Sequence, residues 1–63
     1  MPEYQKRVIE EKKELSDKVT KLAVFIASKA FDELSSVDKF LLSEQIKHMQ
    51  SYREVLRLRV SAF

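Results

Sequence analysis

No glycine occurs anywhere in the chain, and its single proline is Pro2. Glycine and proline are the residues that most strongly interrupt helices, by roughly 1 and 3 kcal/mol against alanine. Without them, neither tight positive-φ turns nor rigid kinks punctuate the interior. With 44% hydrophobic and 35% charged residues, the chain reads as all-α rather than disordered.

The apolar spacing agrees. Tyr4, Val8, Leu15, Val19, Leu22 and Ile26 step by three, four or seven, one face of a helix over about residues 3–27. Pro2 suits the first turn, and Glu3 suits the positive end of the helix dipole. Glu3–Arg7, Glu14–Lys18 and Asp17–Lys21 stand as i,i+4 pairs in the favourable order. The stretch ASKAFDELSS then loses this phase and predicts a corner over about 28–35, plugged by Phe31 and Leu34 and containing at most one helical turn. Ser35 or Ser36 is the expected N-cap of a second helix, with Asp38 three residues beyond Ser35. That helix runs over about 36–62. Leu42, Met49, Leu56 and Phe63 recur every seven residues, and Ile46 and Val60 share their side.

Two such helices joined by a corner predict one domain, an antiparallel hairpin. Its size limits its independence. A chain of 7.4 kDa buries about 60% of an unfolded surface near 10,700 Å². If about 60% of that is apolar, its burial returns about 95 kcal/mol. Ordering 63 residues at about 1.5 kcal/mol each costs nearly the same. Cysteine is absent, so disulfides and thiolate metal sites are excluded. Self-association remains, and we expect a homodimer forming a four-helix bundle. Phe40, Leu41, Phe25 and Val24 lie off the stripes near the corner. They either close the hairpin or meet a dimer mate or other partner.

Arg53 falls inside the apolar stripe, between Ile46 and Val60, and Glu11 and Lys12 occupy the matching gap between Val8 and Leu15. The antiparallel fold predicts a seam ion pair of Arg53 with Glu11 or Glu14 that sets register, against the alternative that Arg53 snorkels to water. Lys47, Arg53, Arg57 and Arg59 are the residues a nucleic-acid contact would use, but Glu54 divides them and the net charge is only +2. The helix-turn-helix reading lacks a third supporting helix and a glycine turn. His48, the only histidine, lies four residues after Glu44, whereas di-metal bundles use Glu-x-x-His. No metal or cofactor is expected. Nucleophilic catalysis lacks a cysteine, a second histidine and a glycine-lined loop, so the expectation is a protein without enzymatic activity. No apolar run approaches the ~20 residues that span a bilayer, and charges begin at Glu3, which argues against a signal peptide. The expected location is the cytoplasm.

The runs YQKRVIEEKKELSDKVTKLAVFI and LLSEQIKHMQSYREVLRLRVSAF resemble a family of small helical accessory proteins of tailed phages and prophages. The matching positions are Tyr4, Gln5, Arg7 and Val8, then Glu14, Leu15, Lys18 and Val19, then Phe25 and Ile26. In the second half they are Gln45, Ile46, Met49 and Tyr52, then Val55, Leu56, Arg59, Val60 and Phe63. That family often carries a small residue where Arg53 stands here. The resemblance implies a phage accessory product, from an early region of a lambdoid phage, that works inside the host; our own expectation from the helices is an interaction protein that docks on a host or phage protein. It implies no catalytic residue.

Overall fold

Two long helices pack against each other along nearly their whole length. A computed structural model describes all residues from Met1 to Phe63, with α1 at Glu3–Ile26, a one-turn α2 at Lys29–Asp32 and α3 at Ser36–Ser61. The result is a rod of 46 × 14 × 14 Å. The chain is all-helical, as the spacing predicts, and the corner is itself a third short helix.

Serines mark both breaks. Ser28 leaves the helical region, its Oγ accepts from the Phe31 N–H, and its hydroxyl donates to the Phe25 carbonyl. One side chain thus caps α2 while closing off α1. Ser35 adopts an extended conformation, and its Oγ accepts from the Asp38 N–H at 3.1 Å. Such a cap satisfies an N–H left free by the helix geometry, worth about 1 kcal/mol. Every residue keeps a negative φ, so the corner turns without needing glycine.

Burial defines the seam. In α1, half-buried Gln5, Lys12, Leu15, Leu22 and Ile26 interleave with buried Val8 and Val19. In α3, half-buried Lys39, Leu42, Ile46, Met49, Arg53 and Val60 accompany Leu56, which is fully buried. Both sets advance in alternating steps of three and four, the pattern that keeps one side of each helix facing its neighbour, and half-buried Ser16 on α1 and Ser43 and Glu44 on α3 lie outside that spacing. Edge-to-face aromatic pairs clamp the two ends: Tyr4 against Phe63 at 6.0 Å and Phe25 against Phe31 at 6.3 Å between centroids.

Tyr4 and Phe63 are nonetheless exposed, at 59% and 43%, although both are expected in the core. A two-helix rod has no third layer to cover its open end. Only Val8, Val19 and Leu56 are buried. The accessible surface is 4828 Å², against about 4,200 Å² for a compact monomer of this mass.

Leu56 is therefore the residue this core can least spare. Leu56→Ala should destabilise the chain by about 2–5 kcal/mol, while Lys21→Ala, on the exposed side of α1, should change it by less than about 0.5 kcal/mol. Urea unfolding followed by circular dichroism checks both values.

Candidate interaction surfaces

Apart from Lys39 near the corner, the seam carries charge at one level. Tyr4–Phe63 and a hydrogen bond from the Tyr52 hydroxyl to Glu11 Oε1 (2.5 Å) fix the antiparallel register. Lys12 and Arg53 fall between those two contacts in register and are both half-buried, so two cations share this level of the stripe. The expected ion pair of Arg53 with Glu11 or Glu14 does not form. All four ion pairs join residues three or four apart on one helix, and none includes Arg53. The physical reason is visible in the neighbours. Glu11 lies at the exposed flank of the seam, where the Tyr52 phenol, also exposed, reaches it. Arg53 stands one position further round α3 towards the seam, and Glu14 is exposed.

Tyr52 lies at the edge of the stripe, where spacing alone gives an aromatic no mark as a cross-helix donor. Its phenol is pushed above the usual tyrosine range, chiefly by the hydrogen bond to Glu11, with desolvation and the Glu11 charge adding and Arg59 opposing.

The basic face of α3 is largely occupied by its own acids. Arg57 donates from Nε and Nη2 to the two oxygens of Glu54, at 2.9 and 2.6 Å. That bidentate pair holds the Glu54 carboxyl below its ordinary value and raises the Arg57 guanidinium. Lys47 Nζ donates to Glu44 Oε1 at 2.9 Å, and His48 Nε2 lies 3.8 Å from the other oxygen. The Lys47 hydrogen bond is the main cause of a lowered Glu44 carboxyl. Of the four cations proposed for phosphate contact, two are thus tied to acids, Arg53 is in the seam, and Arg59 alone stands exposed without an ion pair. The one-turn α2 does not supply the supporting helix that a helix-turn-helix needs.

Depressions on the surface are open and shallow. One is lined by Lys47, His48, Gln50, Ser51 and Glu54, with no hydrophobic residue. The other is lined by Met1, Lys6, Ile9, Glu10 and Lys13. No group of three or more His, Cys, Asp or Glu side chains could hold a metal ion, and no helix is long and apolar enough to cross a membrane.

The exposed apolar residues are unevenly placed. On α1 the side opposite the seam is chiefly charged, through Lys6, Glu10, Lys13, Asp17 and Lys21, with Val24 near the corner. On α3, Val37, Phe40, Leu41, Val55 and Leu58 are each more than half exposed.

Two outcomes follow from the seam. A raised tyrosine pKa means the neutral phenol is favoured in the fold. Its stabilising contribution is present below the ordinary value near 10 and is lost as pH rises through the higher folded value. Phenolate absorbance in a Tyr4→Phe background should show Tyr52 titrating late, and Glu11→Gln should bring it back towards the ordinary range. Arg53→Leu removes one of two like charges from the stripe and should stabilise by on the order of 1 kcal/mol, a rise in Tm of about 4–8 °C. A Tm that falls instead would show that the guanidinium supports the register.

Residues 2–62 match the Sequestin family. The chain is 40% identical over 60 residues to an uncharacterised 7.5 kDa protein from the denB–rIIB intergenic region of Enterobacteria phage T4. That alignment covers 95% of this chain and 94% of the T4 protein. No solved structure matches. The likeness supports a small phage accessory protein, whereas the expected lambdoid origin finds no support, because the relative comes from phage T4. By the extent of that match, this chain belongs to the Sequestin family.

Proposed function

We propose that this protein is a non-enzymatic phage accessory protein that acts by protein–protein interaction in the host cytoplasm, as a homodimer, and modulates host functions or phage development. The observation that carries the reading is the exposed apolar surface of α3. Val37, Phe40, Leu41, Val55 and Leu58 are 51–64% exposed, while the whole core amounts to three buried residues. Exposed apolar clusters of that kind, here one towards each end of α3, mark sites of association. The absence of an enclosed pocket in a rod 14 Å thick favours action by occupancy over turnover. The family name, Sequestin, describes holding a target and fits the same mode of action.

Affinity capture from lysates of the bacterial host, before and during infection, tests this. The expected outcome is a discrete protein held in fixed stoichiometry and retained at about 1 M salt, where charge attraction reaches only about 3 Å. Recovery of nucleic acid alone, released steeply as salt rises, would instead establish the phosphate-binding alternative through Lys47, Arg53, Arg57 and Arg59.

A further inference from the structure

α1 has one apolar face and α3 has two. At about 100° per residue, Val37 and Leu41 near the corner and Val55 and Leu58 near the far end fall on the side of α3 opposite the seam. Glu44, His48 and Ser51 lie between them on the same line. Successive members of this second stripe are again separated by four and three residues in alternation, the spacing of a helix-packing face. Nothing in the hairpin covers it: the four apolar members are 64%, 56%, 51% and 53% exposed.

The stripe reads the same from either end, with two apolar residues, three polar ones and two apolar ones. A twofold contact requires such self-complementarity, because each residue must be matched by a residue of the same surface. The central stretch carries both signs of charge, Glu44 beside Lys47 and His48, so two copies can meet there without opposing like-charged blocks. Size is also compatible. The stripe runs from Val37 to Leu58, about 32 Å of helix at about 1.5 Å per residue, long enough for an extended helix–helix contact.

We propose that a second copy of this chain packs antiparallel on the outer face of α3, with the twofold axis at the level of His48. Val37 then faces the partner's Leu58, and Leu41 faces the partner's Val55. The inference rests on the homodimer reading above and deepens it by naming the surface. It also changes the expected architecture. The seam and the second stripe lie on opposite sides of α3, so the four helices line up in a row, α1 and α3 of one chain followed by α3 and α1 of the other. A square bundle would need the two stripes closer together.

The natural lack of cysteine makes disulfide trapping direct. His48→Cys should form a covalent dimer with itself under mild oxidation. Leu41→Cys should link efficiently only when mixed with Val55→Cys. Sedimentation of the unmodified chain should show a dimer, and Val55→Asp with Leu58→Asp should weaken it by about 100-fold while helical circular dichroism is retained. Links at Leu41→Cys alone would overturn the antiparallel arrangement, a dimer indifferent to the two aspartates would overturn the α3 face, and either result leaves the homodimer intact. A monomer at tens of micromolar by sedimentation would overturn both. Should the aspartate variant unfold, the trapping pattern still decides.

Discussion

The contact between α1 and α3 governs this molecule, because a two-helix rod has one seam and no other interior. Alternating steps of three and four on both helices bring apolar side chains into register from Val8 to Val60. Where that alternation is apolar, burial is deepest, at Val8, Val19 and Leu56. The aromatic pairs at either end extend the seam to its limits, yet Tyr4 and Phe63 remain exposed because nothing lies beyond them. Everything else in the fold, including the serine caps that turn the chain, serves to return α3 along α1.

The polar level within the seam follows a different logic. Charged side chains on a helix find local partners first, since a residue three or four positions away is already within reach and little further entropy is lost. Glu54 takes Arg57 and Glu44 takes Lys47 in this way. Crossing from one helix to the other then falls to Tyr52, whose rigid ring places its hydroxyl against Glu11 with few rotamers to fix. Lys12 and Arg53 are left half-buried with no carboxylate in ion-pair range, a polar interruption of the kind that sets helix register at some loss of stability.

Local pairing of the cations and the second apolar stripe bear on function together. A face whose positive charges are neutralised by neighbouring acids is poorly suited to phosphate, and an exposed apolar line on the same helix is suited to another protein surface. Charge thus dominates the exterior of α1, while the exterior of α3 carries apolar residues towards both ends of a polar middle.

The all-helical class and the packing of two long helices were legible in the residues alone, because periodic apolar spacing without glycine or internal proline leaves few alternatives. Of the apolar members of the outer α3 stripe, Leu41 was visible near the corner, beside Phe40. Their continuation to Val55 and Leu58 was masked by the stronger seven-residue repeat beside them. The Tyr52–Glu11 bond and the failure of Arg53 to reach an acid required the tertiary structure. Periodicity reports which side of a helix faces inward, a property repeated over many residues. The partner of a single side chain at the edge of that side depends on rotation and register of the two helices to within about one residue, and only the packed seam determines those.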